Sequence, residues 1–303
     1  MTGWKPWGET NHPEIKGADI CVMGVPFDGA VCGRKGAAQG PEVMRFISRH
    51  LPSATEEGLL FTGLKIYDHG DIDLDLDWQR YYAAVEEQAY ELFSSGAFCL
   101  FLGGDHSVTI PLHRAFAHYY QGRKIGVVHF DSHMDMNNEF DGHKWSHACT
   151  ERRAVESIID PADLALVGIR SWEPDEIEYF DANPEVMLIT AREIYLGGWR
   201  ETCEKLKERF SQYDAVYLTF DIDVLDPSIA PGTGTPEPGG ISVREAMEMM
   251  RLLVSEIPVK AMDMVEVSPP LDSANNITSL AALKIIYEAF GVLHQRRSHK
   301  LST

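Results

Sequence analysis

The segment KIGVVHFDSHMD, at residues 124–135, joins a continuously apolar run to a cluster of His and Asp side chains. A short run without polar alternation is typical of a strand that is buried on both faces. Similar runs recur at residues 19–25, 97–102, 164–169, 186–189, 215–220 and 259–265. Helical patterns lie between them, at residues 78–93, 107–120, 173–181, 201–210, 243–254 and 279–293. The alternation predicts an α/β fold with a mainly parallel sheet covered by helices.

The composition is that of a globular protein. The chain has 303 residues, of which 44% are hydrophobic and 24% charged, and its formal net charge is -19 at pH 7. So negative a chain is not a general nucleic-acid binder. Its apolar runs fall short of the roughly 20 residues that span a bilayer, and the N-terminus lacks the pattern of a signal peptide. We therefore expect a cytoplasmic protein without a nucleic-acid or membrane partner.

The domain organisation follows from the lack of internal repeats and linkers in the sequence. We expect one domain over residues 1–303, with roughly the first 17 residues as an extension or arm. The segment PSIAPGTGTPEPGG at residues 227–240 follows a strand directly, which is more typical of a functional loop than of a linker. The five cysteines are odd in number and include no C-x-x-C pair, so they indicate neither a disulfide framework nor a thiolate zinc site.

Imidazole and carboxylate groups follow three of the predicted strands. They belong to GGDH at residues 103–106, FDSHMD at 130–135 and FDID at 220–223. Alternate side chains of a strand project to the same side, and an open α/β sheet binds its ligands at the carboxyl ends of its strands. Oxygen and imidazole donors without thiolates suit hard or borderline divalent ions. The candidate metal ligands are His106, Asp131, His133, Asp135, Asp221 and Asp223.

Six motifs match those of one protein family in order, from about residue 18 to 290. They are GVPFDGAVCGRKGAAQGPEVMR (24–45), GGDHS (103–107), FDSHMD (130–135), TFDIDVLDP (219–227), PGTGTPEPGG (231–240) and DMVEVSPPLD (263–272). They closely resemble the ureohydrolases, the arginase and agmatinase family. The resemblance implies a three-layer α/β/α fold, two manganese ions at the strand ends and a homo-oligomer, either a trimer or a hexamer.

The same resemblance distributes the candidate ligands between two ions. One ion would be held by His106, Asp131, Asp135 and Asp221, and the other by His133, Asp131, Asp221 and Asp223. Asp131 and Asp221 would therefore bridge the pair. Four carboxylates packed together repel one another unless about four positive charges lie among them, which independently favours two divalent ions over one.

Such a pair of ions, about 3.5 to 4 Å apart, can generate a hydroxide at neutral pH that attacks a carbon electrophile. A guanidinium is a poor electrophile, so the site also needs an anion to hold the cation and an acid for the departing amine. The resemblance implies that Glu266, in MVEVSPP, orients the guanidinium and that His147, in KWSHACTERR, transfers the proton. Taken alone, Glu266 could be an ordinary strand-end carboxylate, and His147 could be an exposed imidazole beside His143.

One segment departs from the family pattern. The family usually follows this histidine with Gly-Thr or a similar small pair and then Pro-Phe-Arg-Arg. Here Ala148-Cys149-Thr150-Glu151 comes before the two arginines.

Agmatine is the expected substrate, with urea and putrescine as products. The loop MNNEFDGHKWSH at residues 136–147 does not reproduce the spacing with which arginases bind an α-amino acid. Its acids outnumber its single lysine, which favours a tail that ends in an ammonium group. The residues that could select the tail are Glu139, Asp141, His143, Lys144 and Trp145.

Other functions stay open at this point. Guanidinobutyrate, guanidinopropionate, arginine, formiminoglutamate and free guanidine are alternative substrates within the family. A two-metal phosphoesterase fits less well, because phosphate chemistry requires basic groups around the metals and these motifs are acidic. An inactive regulatory homologue fits less well, because such proteins lose ligands and all six are present. A single-metal deacetylase relative is disfavoured because His106, Asp221 and Asp223 occur together.

Overall fold

The computed structural model of the chain describes residue 7 and residues 11–302, the last four of these by their backbone alone. Its strands form one sheet of eight in which every neighbouring pair is parallel. The strands are β1 (Ile20–Val25), β2 (Ile66–Asp71), β3 (Phe98–Gly103), β4 (Ile125–Phe130), β5 (Leu164–Ile169), β6 (Met187–Thr190), β7 (Ala215–Asp221) and β8 (Val259–Val265). Their order in the sheet is β2-β1-β3-β8-β7-β4-β5-β6. The predicted α/β fold with a parallel sheet is confirmed.

Helices cover both faces of this sheet. They are α1 (Gly40–Ser48), α2 (Trp78–Ser94), α3 (Thr109–Tyr119), α4 (Thr150–Ser157), α5 (Pro174–Ala182), α6 (Ala191–Gly197), α7 (Trp199–Phe210), α8 (Val243–Glu256) and α9 (Ile277–Ser302). Helix α3 packs against α2 and α4, whereas α9 packs against α1 and α8 and α8 packs against α7. The two groups of helices give the predicted three layers.

Strand β1 shows why the apolar runs have no polar alternation. Its side chains Ile20 and Val22 belong to one hydrophobic core, and the intervening Cys21 and Met23 belong to another on the opposite face. Because successive side chains of a strand point to opposite faces, a strand between two helical layers is apolar at most of its positions.

Sequence signals also fix where helices begin. Asp77 accepts hydrogen bonds from the backbone N–H groups of Gln79 and Arg80 at the start of α2. At the start of α8, Ser242 and Glu245 form a reciprocal capping box. Such caps satisfy N–H groups that have no partner within the helix.

The order of the strands determines where a ligand can bind. Strands β3 and β4 follow each other in sequence, but β8 and β7 lie between them in the sheet. The chain therefore turns in opposite directions on either side of this centre, which opens a crevice at the carboxyl ends of the strands. The His and Asp motifs follow β3, β4 and β7, so they meet at this crevice.

Helix α9 is long and apolar enough to cross a membrane over Ile277–Ser298, but 72% of that window is buried inside the protein. The core helix of a globular protein can be equally long and apolar, so the length and composition of α9 are weak evidence for a membrane span. Of the predicted N-terminal arm, residues 1–6 and 8–10 lie outside the described residues. Trp7 is buried, and its indole N–H donates to Asp68 at 2.8 Å.

Candidate active site

Four of the predicted ligands meet around one nitrogen atom. The Nδ1 atom of His106 lies 2.9 Å from Asp131 Oδ2, 3.1 Å from Asp135 Oδ2 and 3.3 Å from Asp221 Oδ2. All four side chains are almost completely buried. These residues form the first of the two predicted ligand sets.

The second set adjoins the first through Asp131. The Nδ1 atom of His133 lies 3.2 Å from Asp131 Oδ1 and 3.2 Å from Asp223 Oδ2. The Asp223 backbone N–H donates to Asp221 Oδ1 at 2.8 Å, which holds Asp223 close to the last residue of β7. The structure thus brings all six predicted ligands into one continuous cluster.

The hydrogen bonds behind His106 determine which ring nitrogen faces the carboxylates. The Thr219 hydroxyl donates to Asp263 at 2.7 Å, and its oxygen lies 2.8 Å from His106 Nε2. A hydroxyl has one proton to donate, so Thr219 must accept from His106 Nε2. In a neutral ring the lone pair is then on Nδ1, which faces three acidic side chains. His106 Nδ1 and Asp131 Oδ2 are buried without a hydrogen-bond partner among the described residues. A cation bound to both atoms would satisfy them. A metal-bound histidine usually donates its other ring N–H to a neighbouring acceptor, as His106 Nε2 does to Thr219.

The charge of the cluster also calls for cations. Burial and the neighbouring carboxylates Asp223 and Asp131 raise the pKa of Asp221 well above its usual value. Burial and Asp131 raise the pKa of Asp223 as well. A group whose charged form is disfavoured in this way gains stability from a bound positive ion. The six residues therefore fit two divalent ions by donor type, by charge and by the orientation of His106.

Two site residues have backbone conformations that non-glycine residues rarely adopt. Asp135 has a φ of 54° and Glu266 has a φ of 59°. Such conformations persist where the surroundings enforce them, and they are concentrated at functional sites. The Asp135 carbonyl accepts from Glu151 N–H at 3.0 Å, and Glu266 N–H donates to the Gly104 carbonyl at 2.8 Å.

Glu266 and His147 lie side by side at the edge of the cluster. Glu266 Oε1 accepts the His106 backbone N–H at 3.0 Å and lies 3.4 Å from His147 Nδ1. On the other side of the ring, Cys32 contacts His147 Nε2 through its backbone N–H at 3.2 Å and through its sulfur at 3.1 Å. Burial favours the neutral imidazole, but the contacts with Cys32 and Glu266 raise the pKa of His147 well above its usual value.

The loop that carries Cys32 is held by the segment before His106. A side chain at Gly104 would overlap the carbonyl of Phe27, so this position requires glycine for the close approach. Asp105 then donates its backbone N–H to Phe27 at 2.7 Å and accepts the Ala30 N–H at 2.9 Å. Burial, together with repulsion from Glu266, raises the pKa of Asp105 to about 7.

A cleft of about 290 Å³ opens onto the cluster. His133, Asp135 and His147 line it together with three acidic residues from later in the chain, Glu173 and Glu237 in loops and Glu176 in α5. Its lining residues include neither lysine nor arginine. The residues that line it are Cys32, His133, Asp135, Asn137, Phe140, His147, Ala148, Ser171, Trp172, Glu173, Glu176, Thr235, Pro236 and Glu237.

The loop at residues 136–147 contributes to this cleft differently from the expectation. Asn137 and Phe140 line the cleft, but Asp141, His143 and Trp145 line a neighbouring cavity of about 410 Å³. Glu139 and Lys144 line neither of these two cavities. The acids that face the cleft instead follow β5 and β7.

Several residues of the site were not singled out from the sequence. His129 has the same spacing from Asp131 that Asp131 has from His133, so the alternation along β4 could have identified it. Cys32 is distant in sequence from His147. Glu173 and Glu237 have no local pattern that sets them apart from other surface acids. Their proximity to the site results from the tertiary fold.

Comparisons with known proteins agree with this arrangement. The profile described as Arginase family matches residues 18–291. An agmatinase of Neisseria meningitidis serogroup C (strain 053442) is 38% identical over 280 residues, which cover 89% of this chain and 86% of that protein. The proclavaminate amidinohydrolase of Streptomyces clavuligerus is 35% identical over 290 residues, covering 91% and 88%. The crystal structure of a hypothetical agmatinase from Burkholderia thailandensis superposes with a TM-score of 0.84 at 34% identity, covering 94% of this chain and 88% of that one.

Proposed function

The chain belongs to the arginase family and is a hydrolase of carbon–nitrogen bonds, and from this premise we propose that it hydrolyses agmatine to urea and putrescine at a two-manganese centre. One observation carries the proposal. Six His and Asp side chains, of which only His133 is partly exposed, lie in a single cluster, and His147, which lines the cleft, lies beside it next to the buried Glu266.

The metal assignment rests on the chemistry of the donors. His106, Asp131, Asp135 and Asp221 would hold one ion, and His133, Asp131, Asp221 and Asp223 the other. Nitrogen and carboxylate donors without thiolate are suited to manganese. When bound, two such ions act as Lewis acids that lower the pKa of water and so supply a hydroxide nucleophile at neutral pH.

Glu266 has the position needed to hold a guanidinium. Its Oε1 is fixed by the His106 N–H at 3.0 Å, and among the described residues its Oε2 has no hydrogen-bond partner. A carboxylate pairs well with a planar, forked cation such as guanidinium. Since the side chain is only 2% exposed, the ion pair would form away from water, which strengthens it.

His147 has the position needed to assist the departing amine. It lines the cleft, and its contacts with Cys32 and Glu266 raise its pKa well above the usual value. A protonated imidazole beside the guanidinium can donate a proton to the leaving nitrogen. Glu266 therefore both orients the substrate and supports the acid.

Acidic side chains line the part of the cleft that would hold the tail of the substrate. Glu173 and Glu237 line the cleft, and among the described residues neither lysine nor arginine lines it with them. Burial raises the pKa of Glu176 to about 7, so this third acid is partly neutral. Acids without a basic partner attract an ammonium group and repel a carboxylate. Agmatine, which ends in an ammonium group, fits this cleft better than guanidinobutyrate or guanidinopropionate.

The test is urea release by manganese-loaded protein from a panel of guanidino compounds at equal concentration. We expect agmatine to exceed arginine, guanidinobutyrate, guanidinopropionate, formiminoglutamate and guanidine in kcat/KM. A preference for guanidinobutyrate would show that a basic group governs the tail, and a preference for arginine would show that the cleft binds an α-amino acid. Either result would overturn agmatine as the substrate while keeping the reaction.

Location and assembly are predictions of the same kind. We propose a cytoplasmic protein and a homo-oligomer, either a trimer or a hexamer, with residues 1–303 folding as one domain. Cell fractionation tests the location, light scattering tests the assembly, and limited proteolysis tests the domain assignment.

A further inference from the structure

Glu151 is a completely buried carboxylate close to the cluster of candidate metal ligands. It lies in the segment that departs from the family pattern, at the start of α4, and its exposed fraction is 0%. A charged carboxylate without a partner is strongly unfavourable at such a position, so buried acids are normally paired. Its Oε1 lies 3.2 Å from the Nδ1 atom of His129. Glu151 and His129 therefore form a buried pair.

His129 lies between Glu151 and the cluster of candidate metal ligands and contacts both. Its Nε2 lies 3.2 Å from the backbone carbonyl of His133 and 3.3 Å from Asp131 Oδ2. Its ring stacks on the ring of His106, with centroids 4.9 Å apart and planes inclined by 5°. The ring thus touches three of the residues that would hold the ions, without occupying a place in either ligand set.

Glu151 also holds a fourth of these residues through its backbone. Its N–H donates to the carbonyl of Asp135 at 3.0 Å, and the next N–H, that of Arg152, donates to the same oxygen at 3.2 Å. Asp135 has the strained φ of 54°, so its carboxylate depends on such contacts for its direction. Glu151 is therefore connected to two of the ligands around His106, to Asp131 through the His129 ring and to Asp135 through its own backbone N–H.

We propose that Glu151 is a positioning residue whose side chain, acting through His129, holds Asp131 in its metal-binding orientation, while its backbone N–H supports Asp135. The inference rests on the proposed two-metal centre and explains what part of the departing segment contributes. Groups that hydrogen-bond to metal ligands fix the direction of the ligands, and removing such a group typically weakens metal binding roughly 10- to 100-fold. A pair that only filled space in the core would change stability instead.

The experiment compares manganese affinity in the wild type and in Glu151→Gln, which keeps the shape of the side chain and removes its charge. The electron paramagnetic resonance signal of free Mn²⁺ reports binding without any substrate. We expect the affinity for at least one ion to fall roughly 10- to 100-fold. If Glu151→Gln does not fold, Glu151→Asp keeps the charge, withdraws the oxygen from His129 and is expected to give the same loss.

Glu288→Gln is the matched control. Glu288 is also buried, with an exposed fraction of 1%, but it pairs with Arg251 at 2.8 Å, away from the cluster. This variant should lower the thermal midpoint and leave manganese affinity unchanged. An equal loss of affinity in both variants would mean that general destabilisation, rather than ligand positioning, is responsible.

A double-mutant cycle tests whether Glu151 acts through His129. If it does, Glu151→Gln combined with His129→Phe should bind manganese no more weakly than the worse single variant. Two results would overturn the proposal. The double variant could lose affinity by the product of the two single losses, or the manganese affinity of Glu151→Gln could stay within about 2-fold of the wild type. Because these measurements use manganese alone, they remain decisive even if the guanidino panel finds no substrate.

Discussion

Replacing His147 with asparagine removes one specific step from the proposed reaction. The amide of asparagine does not reach the position of His147 Nε2, which lies 3.2 Å from the Cys32 backbone nitrogen, and it cannot carry a proton to the departing amine. His147 belongs to neither proposed ligand set. His147→Asn should therefore lower turnover while the metal content stays at the wild-type value.

The expected size of the effect follows from the role of the imidazole. A well-placed general acid contributes roughly 10²- to 10⁴-fold to the rate, which corresponds to about 3 to 5 kcal/mol of transition-state stabilisation. The ring lies 3.4 Å from Glu266, and its side chain is nine-tenths buried, so bulk water cannot easily take its place. We expect kcat to fall within this range and KM to change less, because Glu266 still holds the guanidinium.

Urea release at saturating agmatine measures kcat, and metal analysis on the same preparation excludes loss of the ions. His143→Asn is the matched control, because His143 is exposed and lines the neighbouring cavity rather than the cleft. It should retain full turnover. Unchanged turnover in His147→Asn at neutral pH would refute the assignment, and a loss in His143→Asn instead would transfer the role to that residue.

The remaining predictions concern the ligands and the substrate. Asp131→Ala and Asp221→Ala should each lose both ions, because each carboxylate is proposed to bridge; metal content per chain checks this, and a wild type that saturates at one ion would contradict it. Glu266→Gln should lower kcat/KM for agmatine by roughly 30-fold or more, since a buried charge pair contributes about 2 kcal/mol or more, with metal content unchanged. Glu173→Gln and Glu237→Gln should each raise KM for agmatine about 2- to 5-fold, the effect of a solvent-exposed ion pair. An unchanged KM in both would exclude these acids from tail recognition.

Buried strands were predictable because their environment is uniform. Strands such as β4 and β7 lie between two helical layers, so they are apolar except near their carboxyl ends, where His129, Thr219 and Asp221 lie. The edge strand β2, IYDHGD, was not predicted, because only its first residue is fully buried and its carboxylates Asp68 and Asp71 bind Arg45 instead of water. Helix α4, TERRAVES, was also missed, because the side chains it buries include Glu151 and Arg153. A hydrophobic pattern cannot reveal an element that buries charge.

The candidate site shows a similar division. Groups at strand ends, such as Asp131 and Asp221, were predictable because parallel strands bring their carboxyl ends to one edge. The acids of the cleft were not, because Glu173 and Glu237 reach it from loops that are distant in sequence. Arg170 holds the second of these loops by donating to the carbonyls of Asp223 and Glu237. Such contacts depend on how loops pack over the sheet, which the local sequence does not encode.

The most direct test of the central claim is the simultaneous measurement of products and metal. Protein reconstituted with manganese should contain two ions per chain and convert agmatine to equal amounts of urea and putrescine. Removing the ions with a chelator should abolish both products, and adding manganese back should restore them. Fully loaded protein that releases no urea from agmatine, or that releases ammonia without urea, would contradict the proposed reaction.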